Sequence, residues 1–239
     1  KTWWKNHYVY IISSVLILFV MAIVLYVKEC WPLGWKPLMR GDFVGQTVPF
    51  VLELKRKILA GESILYTWNA GMGTNFIATL AYGLCSPFVL IFFFVPDHMM
   101  IKAGVLVYIM ILLCMNATMI YYLTHRPEKA LDKNDPVSMV LSLAYTMCAY
   151  MVSFMDVWYY LSCSVFLPLV LLGLEQYIYQ RKWKLYVITL FNIGNVGQQY
   201  IICKFSNISL YFLLLNLLIN GLINSIDFLI SSISFSCKS

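Results

Sequence analysis

Long, nearly uncharged apolar runs constrain the fold of this 239-residue chain more than any other feature. The first run, VYIISSVLILFVMAIVLYV at residues 9–27, contains no charged residue. A helix of about 20 apolar residues is long enough to cross the hydrocarbon core of a bilayer. The further runs of this kind are 103–124, 137–155, 157–178, 185–203 and a last one that ends near Leu229. The chain is therefore predicted to be an all-α membrane protein that crosses the bilayer several times.

The composition agrees with this class and excludes others. Hydrophobic residues make up 61% of the chain and charged residues 12%, about half the charged share of a soluble domain. The net charge of +6 does not indicate nucleic-acid binding, because the basic residues flank apolar runs, where they set membrane topology. The seven cysteines contain no C-x-x-C pair. They are predicted to be small buried side chains rather than a zinc or redox site.

Charge also predicts which parts of the chain face outward. The segment KTWWKNH, with two lysines, precedes the first run, so the N-terminus is predicted to be cytoplasmic and residues 28–101 to form a large outer loop. The apolar segment 76–96 is interrupted by a glycine and a Ser-Pro pair. If it does not cross the membrane, the basic loops 125–135 and 180–184 both face the cytoplasm, as the positive-inside rule favours. We therefore expect 76–96 to be a broken, re-entrant or interfacial segment.

The outer loop also contains an amphipathic stretch, PFVLELKRKILAG at residues 49–61. Helical spacing places Glu53, Arg56 and Lys57 on one face. The opposite face would carry Phe50, Val51, Leu54 and Ile58. This pattern predicts a helix that lies in the membrane interface.

Two acidic residues are predicted to lie at the outer membrane surface. Asp42 belongs to the first outer loop, and Asp156 lies in the short turn FMDVWYY between two later runs. A carboxylate beside a bilayer is unfavourable unless cations or hydrogen bonds compensate it, which makes both acids functional candidates. The alternative is that each simply marks a turn.

Basic residues accompany Asp42 in the first outer loop. They are Lys36, Arg40, Lys55, Arg56 and Lys57. Cations could neutralise a lipid-linked phosphate, while the acid deprotonates a hydroxyl group or holds a divalent metal. Alternatively, the same cations bind anionic lipid headgroups or remain solvated.

The stretch YTWNAGMGTNF, residues 66–76, places an indole and amides beside glycines. Trp68 could stack on a sugar ring, and Asn69 and Asn75 could bind its hydroxyl groups. An ordinary turn that leads into the next segment explains the same pattern. Gln46, four residues after Asp42, is a further amide near the candidate acid.

Three motifs in close order carry a resemblance to a known family. RGDFVGQTVPF is followed by LAGESILYTWNAGMGTNF and then by YGLCSPFVLIFFFVP. With these motifs the chain resembles the N-terminal part of the bacterial YfhO membrane-protein family, and the similarity extends more diffusely to about Asn195. From Val196 to the end of the chain, at residue 239, the sequence departs from the family pattern. We therefore expect residues 1–239 to be a single transmembrane domain from the N-terminal part of a longer protein.

The YfhO family resembles the GT-C glycosyltransferases, which take sugar from a polyprenyl-phosphate carrier on the outer face of the membrane. Members are implicated in glycosylating cell-wall polymers such as lipoteichoic acid. The resemblance implies a GT-C-like transmembrane helix bundle with interfacial helices in the first outer loop of a bacterial cell-membrane protein. It also implies that Asp42 is a catalytic base or a ligand of Mg²⁺ or Mn²⁺, and that Asp156 is a second catalytic acid.

The remaining site residues would bind the substrates. Arg40 would meet the phosphate, while Gln46 and Asn69 would orient the sugar or the acceptor. Two alternatives remain open at this point: a non-catalytic protein that binds or transports a lipid carrier, and a truncated chain without activity of its own. Proton-coupled transport needs ionisable groups within the spans, and the apolar runs offer almost none away from their ends.

Overall fold

The computed structural model describes residues 2–84 and 86–196. The helices of this part are α1 Thr2–Val27, α2 Val48–Ala60, α3 Phe76–Thr79, α4 Pro87–Leu90, α5 Met100–His125, α6 Pro136–Thr146, α7 Ala149–Ser153, α8 Trp158–Gln180 and α9 Lys184–Val196. A short antiparallel hairpin pairs β1 Tyr66–Thr67 with β2 Thr74–Asn75. The predicted run 185–203 is described only as far as Val196, and the run that ends near Leu229 lies outside the described residues.

The prediction of an all-α membrane protein with several spans is confirmed. Within the described residues, four helical segments are long and apolar enough to cross a bilayer. They are His7–Val27, Asp97–His125, Pro136–Ser153 and Tyr160–Gln180. These segments coincide with the runs predicted from the sequence, because length and lack of charge alone define a span.

Helix α5 is the centre of the bundle, since it packs against α1, α6 and α8. Its residues Ile111, Leu112 and Met115 are almost completely buried. A polar contact joins α5 to α1, where Asn116 Nδ2 donates a hydrogen bond of 2.8 Å to Ser13 Oγ. Apolar packing and this buried hydrogen bond together fix the neighbouring spans.

The contacts at the two ends of the bundle show where each loop lies. At one end the Tyr8 hydroxyl donates to the Asn134 carbonyl, and Arg126 pairs with Glu175 at 3.0 Å. At the other end, residues 28–99 connect the end of α1 to the start of α5. The turn between α7 and α8 lies beside this connection, since Asp156 contacts Arg40. We call this second end, formed by residues 28–99 and 154–157, the loop end. The connection between α1 and α5 therefore begins and ends at the same end of the bundle.

The structure breaks segment 76–96 into short pieces. Helix α3 continues into a π-helical turn at Leu80–Leu84, and α4 continues into a 3-10 turn at Ile91–Phe94. Ser86 starts α4, because its Oγ accepts a hydrogen bond from the Phe88 amide at 3.3 Å and Pro87 occupies the first helical position. Such a cap and proline favour a new helix start over a continuous helix.

The amphipathic stretch forms helix α2, and other parts of the protein cover much of it. Val51 and Leu54 on its apolar face are buried in the protein core, at 1% and 8% exposure. On the polar face, Glu53 and Lys57 are also buried. Helix α2 is therefore covered by protein on both faces, and only part of it, such as Ile58 at 57% exposure, is free to contact lipid or solvent.

Three aromatic rings anchor the loop end to the bundle. The Phe43 ring stacks on the Trp158 ring with centroids 4.6 Å apart, and Phe92 packs against both. Gly104 on α5 leaves room for this cluster, since a Cβ atom there would lie 2.9 Å from the Phe43 ring. The cluster anchors the backbone next to each of the two candidate acids. Phe43 follows Asp42 directly, and Trp158 lies two residues after Asp156.

Candidate functional site

The turn at Arg40 and Gly41 folds against the carboxylate of Asp156. The Arg40 amide donates a hydrogen bond of 3.0 Å to Asp156 Oδ1. A Cβ atom on Gly41 would lie 3.3 Å from Asp156 Oδ2, and Gly41 has a φ of +50°, a conformation that glycine adopts without strain. The loop-end backbone that carries Asp42 is thus held directly by Asp156, although the two acids are 114 positions apart in the sequence.

Asp42 and Gln46 form a second part of this arrangement. Asp42 lies at the start of the π-helical turn Phe43–Thr47, and its side chain is exposed. Gln46 Nε2 donates a hydrogen bond of 3.2 Å to Asp42 Oδ1. This contact orients the Asp42 carboxylate while leaving it accessible to a substrate, which is what a general base requires.

Arg40 supplies a positive charge beside the two acids. Its guanidinium is exposed, and its Nε donates a long hydrogen bond of 3.5 Å to the Pro37 carbonyl. Within residues 2–84 and 86–196, no carboxylate lies within ion-pair distance of this group. The other cations predicted to meet a phosphate are each within 4.0 Å of a carboxylate: Lys36, Lys55, Arg56 and Lys57. Arg40 is therefore the best placed of the five to bind an anion.

The described residues contain no group of three or more His, Cys, Asp or Glu side chains that could enclose a metal ion. Mg²⁺ is commonly bound by one or two carboxylates and completes its shell with substrate phosphate and water. Asp42 and Asp156 fit that less demanding donor set. They do not form an all-protein cage.

A buried carboxylate at Glu53, which sequence reasoning placed on a polar helix face, organises the rest of the loop end. Its side chain is 10% exposed. Arg56 binds it through two hydrogen bonds of 2.9 and 3.0 Å. The Thr67 hydroxyl donates to it at 2.6 Å and Asn69 Nδ2 at 2.9 Å. These four residues, Glu53, Arg56, Thr67 and Asn69, are called the Glu53 network below.

Hydrogen bonds from Arg56 lower the pKa of Glu53 to about 2, against the opposing effect of burial. Thr67 and Asn69 contribute in the same direction. Glu53 is therefore ionised throughout the physiological range. It acts as a fixed anion that ties the β-hairpin to α2.

The hairpin separates the residues that the sequence grouped as sugar-binding. Asn69 points toward α2 and joins the Glu53 network. Trp68 is 76% exposed and packs edge-on against Tyr66, with ring centroids 5.0 Å apart. Asn75 caps α3, since its Oδ1 accepts a hydrogen bond of 3.3 Å from the Ala78 amide. The three predicted residues therefore do not converge on one point.

An open pocket of about 670 Å³ lies along α2 on the side of the Glu53 network. Its lining residues are Pro49, Leu52, Glu53, Lys55, Arg56, Leu59, Asn69 and Asp97. Lys55 lies at the edge of the pocket, where its Nζ donates hydrogen bonds of 2.6 Å to Asp97 Oδ1 and 2.9 Å to the Val95 carbonyl. The spacing of Glu53 and Arg56 was visible in the sequence. The burial of Glu53, however, depends on the two-residue strand β1, which has no sequence signal of its own.

Comparisons with known proteins give one result. The family model described as bacterial membrane protein YfhO matches residues 13–233, which confirms the resemblance carried by the three motifs. No curated protein and no solved structure matches the chain.

Proposed function

Because the chain belongs to the YfhO family of bacterial membrane proteins, we propose that it takes part in sugar transfer from a polyprenyl-phosphate carrier to a cell-wall polymer such as lipoteichoic acid. The N-terminus lies in the cytoplasm in this proposal, so the loop end faces outward. The observation that carries the proposal is the hydrogen bond from the Arg40 amide to Asp156. It joins the Asp156 carboxylate to the turn that carries Arg40 and Asp42.

Each side chain has a defined role in the proposed reaction. Asp42 accepts the proton of an acceptor hydroxyl group, whose oxygen forms a bond to the anomeric carbon of the sugar. The bond between that carbon and the polyprenyl phosphate breaks, and Arg40 neutralises the phosphate that leaves. Gln46 holds the Asp42 carboxylate in orientation, and Asp156 holds the turn that presents Arg40 and Asp42.

A divalent metal is compatible with this arrangement. Mg²⁺ or Mn²⁺ would be held by Asp42, and Asp156, which contacts the adjacent turn at Arg40 and Gly41, would be a second carboxylate donor. When bound, it would supply positive charge to the phosphate of the carrier.

Sugar transfer can be measured directly with the full-length protein in proteoliposomes. A polyprenyl phosphate that carries radiolabelled glucose or N-acetylglucosamine is supplied together with lipoteichoic acid. We expect the label to move from the lipid to the polymer, and liposomes without protein serve as the control. Binding of the carrier without any transfer would contradict the proposal and would favour a non-catalytic carrier-binding protein.

A further inference from the structure

The candidate base and the pocket beside α2 lie on two helical segments that follow one another in the chain. Asp42 and Gln46 are joined by a hydrogen bond. Pro49, Glu53 and Arg56 then follow at intervals of three and four residues, the spacing that places residues on one face of a helix. Asp42 lies seven positions before Pro49, and the π-helical turn Phe43–Thr47 continues directly into α2. The candidate base and the pocket are therefore carried by consecutive helical segments of the loop end.

The charges of the pocket neutralise one another. Glu53 pairs with Arg56, with Nε and Oε2 2.9 Å apart, and Lys55 pairs with Asp97 at 2.6 Å. Two cations and two carboxylates leave no net charge to attract a free anion. They still present both donors and acceptors, and Asn69 adds an amide whose nitrogen contacts Glu53.

The remaining lining of the pocket is apolar. Pro49, Leu52 and Leu59 contribute carbon surface next to the charged groups. A hydroxyl-rich neutral molecule fits this combination, because each hydroxyl group both donates and accepts hydrogen bonds while its C–H groups pack against apolar side chains. Most small-molecule sites combine apolar walls with a few placed polar groups in the same way.

We propose that this pocket binds the neutral, hydroxyl-rich unit of the acceptor, a sugar or a polyol, before its hydroxyl group reaches Asp42. The role as acceptor site rests on the proposed sugar transfer, but binding to the pocket can be tested without it. A single sugar ring is small, so a dissociation constant of roughly millimolar is expected from the affinity that so few atoms can supply.

The proposal is tested by measuring how a bound ligand protects an introduced thiol from labelling. The protein is placed in proteoliposomes, because a glycoside detergent would compete for the pocket. Leu59 lines the pocket and is 85% exposed, so Leu59→Cys in a cysteine-free background reports on occupancy. Met72 is 98% exposed and does not line the pocket, so Met72→Cys is the matched control. The rate of maleimide labelling is measured with methyl glucopyranoside, methyl galactopyranoside and ribitol as separate probes, and with inorganic phosphate.

We expect at least one neutral probe to slow labelling of Leu59→Cys saturably, by about tenfold at ten times its dissociation constant. Labelling of Met72→Cys should not change, and Asn69→Ala should weaken the protection. Equal slowing at both cysteines, no slowing by any neutral probe, or stronger protection by phosphate would each overturn the proposal. The Asp42→Asn variant should retain full protection, so that a failure of sugar transfer is distinguished from a failure of binding.

Discussion

Replacing Asp42 by asparagine is expected to reduce the turnover rate of sugar transfer by about 10²- to 10⁴-fold, the usual contribution of a general base. Asparagine retains an oxygen that can accept the hydrogen bond from Gln46 Nε2, so the local fold should persist. It cannot accept the proton of the acceptor hydroxyl group. The loss should therefore appear in kcat measured with radiolabelled carrier, and binding of the carrier should change little.

The control for Asp42→Asn is Glu29→Gln, which removes a carboxylate elsewhere at the loop end. Glu29 is exposed and pairs with Lys36, and an exposed pair of this kind contributes little to stability. Glu29→Gln should leave kcat unchanged. A similar loss in both variants, or wild-type kcat in Asp42→Asn, would contradict the role of Asp42 as base.

Asp156 can be examined by comparing two substitutions. Asp156→Asn retains an acceptor for the Arg40 amide, whereas Asp156→Ala removes it. If Asp156 only holds the turn, the asparagine variant should stay near wild-type activity while the alanine variant loses it. If its charge takes part in the reaction, as the sequence-based expectation of a second catalytic acid requires, both variants lose activity.

The second large effect is expected at Glu53, where alanine should loosen the β-hairpin from α2. The substitution removes the acceptor for Thr67 and Asn69 and leaves Arg56 without two of its hydrogen bonds. The loss of such contacts costs about 2 kcal/mol, which corresponds to a roughly 30-fold larger population of the open hairpin and to correspondingly faster amide exchange. Hydrogen exchange followed by mass spectrometry measures this rate over the peptides that cover residues 62–75.

Glu62→Gln is the matched control for Glu53→Ala. Glu62 also pairs with Arg56, at 2.6 Å, but its side chain is 45% exposed. Its replacement should change exchange in the hairpin only slightly, because water compensates an exposed group. Equal exchange rates in the wild-type protein and Glu53→Ala would show that the network does not hold the hairpin.

The pH dependence of the attachment of the hairpin to α2 follows from the ionisation of Glu53. Hydrogen bonding from Arg56 lowers the pKa of Glu53 from 4.5 to about 2. The network is therefore fully formed above pH 4.5 and loses its stabilising effect as the pH falls toward 2. Between pH 5 and 8 Glu53 stays ionised, so the network adds no pH dependence to the stability of the hairpin.

The bundle was predictable from the sequence because its determinants are local. Uncharged runs such as 9–27 and 103–124 define spans by length, and Ser86-Pro87 carries the signal for a helix start. The proximity of Gln46 to Asp42 was also predictable, since only four positions separate them. In each case the relevant residues are neighbours in the chain.

The arrangement of the loop end was not predictable, because contacts between distant residues determine it. The hydrogen bond from Arg40 to Asp156 joins residues 116 positions apart, and Lys55 meets Asp97 across 42 positions. Glu53 on the polar face of α2 is covered where β1 brings Thr67 to it. Trp68 and Asn69 were grouped by proximity in the sequence, but in the bend after β1 Asn69 turns back to Glu53 while Trp68 packs against Tyr66.

The central claim is that Asp42 and Asp156 share an outward-facing site, and thiol labelling of intact cells tests it most directly. Single cysteines replace Asp42, Asp156 and, at the opposite end of the bundle, Lys133 in a cysteine-free background, and a membrane-impermeant maleimide is applied. We predict that Asp42→Cys and Asp156→Cys label in intact cells and that Lys133→Cys labels only after permeabilisation. Labelling of Lys133→Cys in intact cells while Asp42→Cys is protected would place the two acids in the cytoplasm and contradict the account.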